Sequence, residues 1–523
     1  MRRTLTATVL SLLAGAAGLI AQAPVHKTAG SASAPAATAV QYINPLSIED
    51  TRSIGDPVVV KFQGEYYLFL SGGMVWSSSD LVHWKHQAVT LPEGRRVPAP
   101  HVFEFEGSFY LTGNDTGLFK SPSPLGPWQY IGDFKDEKGQ TKLLFDLMVF
   151  VEGDKRVYLY YSGRRIDGIY GVELDRKNLT HFAGPARKFW GFNPAHVWER
   201  YGDNNEGTEL SWIEAPWMTK RNGTYYLQYS AVGTEWKTYA VGVYTSAHPL
   251  GPFTYAPRNP ILVHKNGLLN GTGHHCIIAA PDGSLWALYT LLYRNWNAFD
   301  RRIGMDPVGF DAQGNMFIKG PTEAPQWGPG VMAKPWERNA TGSIALSLNR
   351  YTWAVSSQRP GRDALYAFDN NVRTWWEPAE EDAQPWLVLD LGCRNTAQTN
   401  LDTALADPNQ EFIVDSCRIL FDQVPHAGNG DLSVDGHQPW YREASKGVAP
   451  AAYQYKIEVS LDNKSYEIVA DKTHNTAANN VEFDRFTPVE CRYVRLTVTG
   501  APKLPWGVLE FTAFGKSAGP TKR

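Results

Sequence analysis

Three carboxylic acids stand in or before apolar, strand-like runs, where a shifted proton affinity would suit them to trade protons. Asp56 follows Gly55 and precedes Pro57, ahead of Val58-Val59-Val60, so proline restricts the backbone at a strand entry. Asp146 lies inside Leu143-Leu144-Phe145-Asp146-Leu147-Met148-Val149-Phe150, and Glu214 inside Trp212-Ile213-Glu214-Ala215-Pro216-Trp217. A charge in such a run needs a hydrogen bond, a charged neighbour or a functional reason, because uncompensated burial is costly. Taken singly, Asp56 reads equally well as a turn residue, and the other two as paired structural acids. Three of them at the starts of different strand groups point to one shared site.

The elements that must position these acids are short strands. Five hairpin signals recur before residue 300: Gly64 to Phe69, Gly107 to Leu111, Val157 to Tyr161, Gly223 to Tyr229 and Asp282 to Tyr289. Most join a tight turn to β-branched or aromatic residues, at a spacing that fits one signal per four-stranded blade. A second punctuation, a polar or Pro/Gly turn followed by an aromatic anchor, recurs at Ser79 to Trp84, Ser123 to Trp128 and Ala247 to Phe253. The pattern predicts an all-β chain with a five-bladed β-propeller over residues 40–325. A linker is expected at 326–340, around Trp327-Gly328-Pro329-Gly330, then a β-sandwich over 341–515 and a tail at 516–523. The sandwich strands are expected at Trp386 to Leu391, Ile413 to Phe421, Tyr453 to Ser460 and Tyr493 to Val498, with a polar loop from His426 to Glu443.

With 523 residues and 43% apolar composition, the chain can bury more than one core. Its 50 basic and 53 acidic side chains leave a formal charge of -3, so no field of one sign would attract nucleic acid or an anionic membrane. Arg2 and Arg3 precede an apolar segment from Leu5 to Ile20 and a small-residue exit at Ala21-Gln22-Ala23. Residues 1–23 are therefore expected to be an export signal and 24–39 a flexible leader, which predicts a secreted or periplasmic protein. No later segment has the apolar length of a membrane span. Cys276, Cys393, Cys417 and Cys491 form no metal-binding spacing, although one disulfide among the last three is compatible with export.

The frame Asp56-Pro57, Asp146 with Phe150 four residues on, and Glu214-Ala215-Pro216 before the Asn222 to Tyr226 hairpin resembles the glycoside hydrolase family 43 enzymes. Gly273-His274-His275 and Asp282-Gly283-Ser284-Leu285-Trp286 extend the likeness across residues 40–325. Leu147 departs from it, standing where members commonly carry Pro, which leaves the local backbone there open. The resemblance implies an inverting glycosidase with Asp56 as general base, Glu214 as general acid and Asp146 raising and orienting that acid. It also implies a channel histidine at His274, with a weaker claim for His275, and an arginine near the acids. Of the adjacent Arg301 and Arg302, Arg302 is preferred, because neighbours on a strand point opposite ways. His101 stands at a blade start where similar enzymes often carry Asp, and so is a candidate subsite residue. Trp198, Trp212, Trp236 and Trp296 are candidate walls for a sugar ring, with strand packing the alternative for each.

Residues 341–515 resemble a discoidin-like, coagulation-factor type C module. The likeness rests on Ala367-Phe368-Asp369-Asn370, Thr374-Trp375-Trp376, Trp386 to Gly392, Ser460 to Tyr466 and Arg492 to Leu496. In such a module Asp369 is a candidate ligand of a structural calcium, or else a turn cap. No cofactor is expected for catalysis. The expected partners are oligosaccharide or polysaccharide side chains, cut by an exo-acting enzyme that releases a terminal furanose or pentose. A β-galactofuranoside is one candidate substrate; β-xylosidase and α-L-arabinofuranosidase activities are the alternatives, and a noncatalytic glycan-binding protein is a reading of another class.

Overall fold

The computed structural model describes residues 39–49, 55–71, 73–91, 95–163, 167–293, 300–348, 350–394, 405–406, 410–422, 451–503 and 505–520. The expected export signal, the leader up to residue 38, Trp296 and the loop from His426 to Glu443 lie outside these residues. Within them the chain is all-β, its only helical pieces being the 3-10 turns Val197–Glu199 and Ala364–Phe368.

Five antiparallel sheets follow one another. The first is Val58–Phe62, Glu65–Leu70, Met74–Ser78 and Lys85–Gln87; the second is His101–Phe105, Ser108–Thr112, Leu118–Ser121 and Gln129–Gly132. The third is Phe145–Val151, Val157–Gly163, Gly168–Asp175 and Asn178–Phe182, with Arg187–Trp190 also paired to its third strand. The fourth is Glu214–Arg221, Thr224–Ala231, Ala240–Ser246 and Thr254–Tyr255; the fifth is Asn270–Ala279, Leu285–Leu292, Arg301–Phe310 and Met316–Ile318. Each of the five hairpin signals in the sequence falls on the second strand of one sheet. All three turn-and-anchor segments lie between a third and a fourth strand.

The first strand of each sheet lies beside that of the next, and the fifth returns to the first. Alternate residues of facing sheets fill the spaces between them. Val58 and Phe69 pack with Phe109 and Leu111, Phe105 with Val149 and Leu159, and Met148 and Tyr158 with Met218 and Leu227. Val241 and Val243 then pack with Ala287 and Leu291, and Trp286 and Met305 with Leu68 and Trp76.

Entry to and exit from these sheets are tied together. Gln41–Tyr42 pairs with Gln326–Trp327, and Trp327 N–H donates to Asn339 O at 2.9 Å, so the expected linker is packed structure at that point. Behind the pair, buried Asp306 accepts from Tyr42 at 3.0 Å, Tyr289 at 2.6 Å, Asn44 at 3.0 Å, and the Thr322 hydroxyl and N–H at 2.7 and 3.1 Å.

Two further antiparallel sheets follow. One contains Ile344–Ala345, Gly507–Pro520, Gln410–Asp422 and Val481–Cys491; the other contains Arg350–Val355, Trp386–Arg394, Tyr493–Gly500, Gln454–Ser460 and Glu467–Asp471, with Leu405–Ala406 at its side. Their facing residues, among them Leu389, Ile419, Phe421, Ile457, Leu496 and Phe511, form one shared core. The last strand runs past the expected boundary at 515, because Ser517 and Pro520 still pair with Phe412 and Gln410. All four cysteines are free and buried.

This pair of sheets docks on residues that flank the first, fourth and fifth sheets. Trp375 and Leu420 pack with Leu268 and Tyr293, and the Tyr293 hydroxyl donates to Phe421 O at 2.8 Å. Arg418 Nη1 donates to Asn44 O at 2.7 Å, and Arg373 Nη2 to Asp203 Oδ2 at 2.9 Å.

Candidate active site

Every first strand of the five sheets begins with the same irregularity. In the first sheet Gly55 O accepts from Ser71 N–H while Val58 pairs with Phe69. In the second Pro98 O accepts from Asn114 N–H while His101 pairs with Thr112. Phe145 and Met148 face Ser162 and Tyr160, Glu214 and Trp217 face Ser230 and Gln228, and Gly273 and Cys276 face Thr290 and Leu288. Three steps on one strand thus oppose two on its partner, which is a β-bulge, a device that re-aims a side chain. Its left-handed residue is Asp56 (φ 60°), Ala99 (43°), Asp146 (45°), Ala215 (51°) and His274 (40°). Five non-glycine residues in so sparsely populated a region are held there by the pairing on either side. Leu147 follows Asp146 as Pro57, Pro100 and Pro216 follow their counterparts, and the backbone keeps the same bulge without proline.

The bulges bring Asp56, Asp146 and His274 together. His274 Nδ1 lies 3.2 Å from Asp56 Oδ1 and 3.8 Å from Asp146 Oδ2. Glu214 enters from one residue before the fourth bulge, and the electrostatic influence of both aspartates reaches it.

Asp56 is clasped by Arg301, with Nη1 to Oδ1 at 2.7 Å and Nη2 to Oδ2 at 3.1 Å. Ser71 Oγ donates to Oδ2 at 2.6 Å, and the Asp56 N–H donates to Thr290 Oγ1 at 3.1 Å. Gly55 makes room for the clasp, since a Cβ there would sit 2.7 Å from Arg301 Cζ. Burial alone would raise the pKa of Asp56. The charges of Arg301 and His274, with the Arg301 and Ser71 hydrogen bonds, outweigh it and hold the carboxyl well below the usual range.

Asp146 and Glu214 shift the other way. Burial raises Asp146, aided by Asp56 and opposed by His274 and by the Asn114 amide, which donates at 3.3 Å. Burial likewise raises Glu214 well above the carboxylate range, and the negative charge of Asp146 adds to it. The Tyr239 hydroxyl donates to Glu214 Oε1 at 2.8 Å and opposes the rise. One site therefore holds a carboxyl of lowered proton affinity near one of raised proton affinity.

The preferred arginine is the other one. Arg302 turns away from Asp56, pairs with Asp300 at 3.0 Å and lies 4.0 Å over the Tyr293 ring, towards the C-terminal sheets. Neighbours on the strand do point opposite ways, and the pairing of the strand turns Arg301, not Arg302, to Asp56. Ala99, not His101, holds the position equivalent to Asp56; His101 lies beyond the bulge and lines the same small cavity as Asp146 and His274. There it is buried, stacks on Phe103 and approaches Val149 O at 3.2 Å, and burial pulls its pKa down to about 4. His275 is buried beneath the site, and burial followed by the charge of His274 pulls it down to about 3, so both imidazoles are neutral.

Trp198 is no sugar wall. It is buried in a 3-10 turn, bonds Tyr255 Oη at 2.8 Å and packs on Gly242 and Tyr229. Trp212 is partly buried with its ring beside that of Phe145, each close in sequence to one of the raised carboxyls. Trp236 is half-exposed and packs edge-on to Tyr201, on the loop 232–239. Besides Trp236, that loop carries Tyr239, Glu235 and Thr234, which the sequence did not single out; Thr234 Oγ1 lies 3.4 Å from Arg301 Nη1.

Away from this site, Asp369 caps its own turn, accepting from Asn371 N–H at 3.1 Å and from Thr374 Oγ1 at 2.7 Å. Its neighbour Glu510 is fully buried; Oε2 accepts from Asn370 N–H at 3.0 Å, but Oε1 has no hydrogen-bond partner among the described residues. Burial pushes Glu510 up to about 8 and Asp369 up to about 6. Among the described residues no group of three or more His, Cys, Asp or Glu side chains is arranged for a metal ion.

The sequence profile described as glycosyl hydrolases family 43 matches residues 44–316. The β-D-galactofuranosidase xynD of Aspergillus niger is 26% identical over 299 residues, covering 50% of this chain and 81% of that protein. A xylosidase/arabinosidase of Butyrivibrio fibrisolvens is 25% identical over 243 residues, covering 40% of this chain and 43% of its own length. Among solved structures, a thermostable family-43 glycoside hydrolase is similar with a TM-score of 0.47 and 28% identity, over 55% of this chain and 99% of its own.

Proposed function

The chain belongs to glycosyl hydrolases family 43, and from that premise we propose that it is an inverting, exo-acting glycosidase. Asp56 is the base that takes a proton from water, Glu214 the acid that protonates the leaving oxygen, and Asp146 the neighbour that keeps Glu214 protonated. The glycosidic bond breaks with its electrons passing to the leaving oxygen, while the water oxygen bonds the anomeric carbon from the opposite face. Inversion of this kind needs the two carboxyls roughly 6.5 to 9.5 Å apart, with room for that water. His274 lies between the aspartates, where it can meet sugar hydroxyls, and Trp212 offers an apolar wall.

One observation carries the reading: Arg301 clasps both oxygens of Asp56, which lowers its proton affinity, while Glu214 is buried under the influence of Asp146, which raises its own. We read the ring of five sheets as a five-bladed β-propeller, supported by the circular order of the first strands. The C-terminal pair of sheets reads as a discoidin-like sandwich, in which Asp369 and Glu510 would hold a structural calcium. The Arg2-Arg3 and Leu5 to Ile20 pattern supports an exported enzyme, secreted or periplasmic, working on oligosaccharide or polysaccharide side chains.

For the substrate we favour a terminal β-galactofuranoside, because the Aspergillus niger relative bears that activity in its name and is covered over most of its length. A xyloside or arabinofuranoside is the second reading, favoured by the name of the Butyrivibrio fibrisolvens relative. Ring size and anomer are chosen by pocket shape and hydroxyl partners, which the shared acids do not set. An aryl-glycoside screen of the wild type beside Glu214→Gln and Asp56→Asn tests the proposal. Activity on one furanoside, lost in Asp56→Asn and lost in Glu214→Gln chiefly for poor leaving groups, is expected. Wild-type rates in either variant would overturn it.

A further inference from the structure

The group that holds Glu214 belongs to no strand motif. Tyr239 ends the loop between strands Thr224–Ala231 and Ala240–Ser246, is fully buried, and donates its hydroxyl to Glu214 Oε1 at 2.8 Å. Its main chain is tied at both polar atoms: the N–H donates to Trp236 O at 3.1 Å, and the carbonyl accepts from Thr272 Oγ1 at 3.3 Å. Its ring packs against Gly273, where a Cβ would come within 2.2 Å of the ring atom Cε1. Gly273 is the fifth sheet's counterpart of Glu214 in the bulge register, so the missing side chain there is what lets the ring reach across from the fourth sheet. The hydroxyl thus meets the carboxyl from a fixed direction.

In a protonated carboxyl the carbonyl oxygen is a better acceptor than the hydroxyl oxygen, so a donor held at one oxygen favours the proton on the other. We infer that Tyr239 is a positioning residue that reserves Oε1 of Glu214 as an acceptor and thereby keeps the transferable proton on Oε2. The inference rests on Glu214 being the general acid. As the leaving oxygen takes the proton from Oε2, negative charge spreads to Oε1, and the Tyr239 hydrogen bond strengthens at the moment the charge arrives. Tyr239 therefore favours the transition state over the bound substrate.

The charges facing Glu214 are those of Asp146 from the third sheet, Asp56 from the first and Glu235 from its own loop. His274 lies between the two aspartates and Arg301 on Asp56. The carboxylates favour the protonated acid, and among the described residues the Tyr239 hydroxyl is the side-chain donor that works against them. Removing that bond must raise the proton affinity of Glu214, whereas loosening the packing in a general way has no reason to do so.

Tyr239→Phe keeps the ring against Gly273 and removes only the hydroxyl. In this variant the alkaline limb of kcat/KM is expected to move up by about half to one pH unit, and kcat to fall about tenfold on an aryl glycoside with a poor leaving group. On an activated aryl glycoside the loss should stay within about threefold, with KM little changed. Gly273→Ala, which displaces the ring, should give the same leaving-group pattern. An unmoved alkaline limb with equal losses on both leaving groups would overturn the inference and leave Tyr239 a packing residue. Glu214→Gln in the same series separates the two claims: wild-type rates there on the poor leaving group would sink the assignment of the acid itself, whatever Tyr239→Phe does.

Discussion

Both terminal nitrogens of Arg301 bond both carboxylate oxygens of Asp56, at 2.7 and 3.1 Å. A bidentate guanidinium fixes the plane of the carboxylate as well as its charge, so the base arrives oriented and ionised. Replacing Arg301 with Ala leaves burial as the dominant influence on Asp56, and burial raises the pKa. The acidic limb of kcat/KM should then move up by at least about one pH unit, with the rate at pH 5 losing more than the rate at pH 7. Arg301→Lys should restore part of the charge effect but not the orientation. An acidic limb that stays in place in Arg301→Ala counts against Asp56 as the base.

Asp146 acts on Glu214 with the opposite sign to Tyr239. Its negative charge is the second cause, after burial, of the raised pKa of Glu214. Asp146→Asn should bring the alkaline limb down by about one pH unit while the acidic limb, set by Asp56, shifts less. Steady-state pH profiles of wild type and variant check this, and an upward move of the alkaline limb would contradict it.

Asp306 tests the fold apart from the chemistry. Burial raises its pKa to about 6 although five donors point at it. An acid whose folded pKa is raised stabilises the fold fully below its unfolded pKa, and that contribution is lost as pH rises through the folded value. The Asp306 contribution should therefore fade between pH 4 and 6. Asp306→Asn exchanges one acceptor oxygen for an NH2 group facing other donors, and should cost about 2 to 4 kcal/mol in denaturant unfolding. The kcat/KM of the folded fraction should not change.

Some of this was legible in the sequence and some was not, for physical reasons. The hairpins beginning at Gly64, Gly107 and Gly223 announce themselves because tight turns and alternating aromatics are local, and each proves to be part of the same hairpin in its sheet. Asp56, Asp146 and Glu214 stand out because charge in an apolar run is conspicuous. The choice between Arg301 and Arg302 was not local, since it depends on which strand face looks to the ring of first strands. His101 was misplaced by the bulge, which inserts a residue and shifts the count from Ala99 onward. Tyr239 left no signal at all, because its partner is 25 positions away and its access depends on a glycine in another sheet.

Glu510 and Asp369 predict a cation effect with a definite pH dependence. Calcium binds ionised carboxylates, and burial holds Glu510 protonated up to about pH 8. Added calcium should raise the Tm, chelation should lower it, and the gain should be larger at pH 8.5 than at pH 5. Glu510→Gln should abolish the gain. A Tm indifferent to calcium at both pH values would rule out a cation at this place.

The central claim is that Asp56 and Glu214 act from opposite faces of the sugar in a single displacement. Proton NMR of the first product formed from an aryl glycoside substrate, recorded before mutarotation, tests it directly. The free sugar should appear first with the anomeric configuration opposite to that of the substrate. First appearance of the retained anomer would mean a covalent intermediate and would contradict the roles given to both carboxyls.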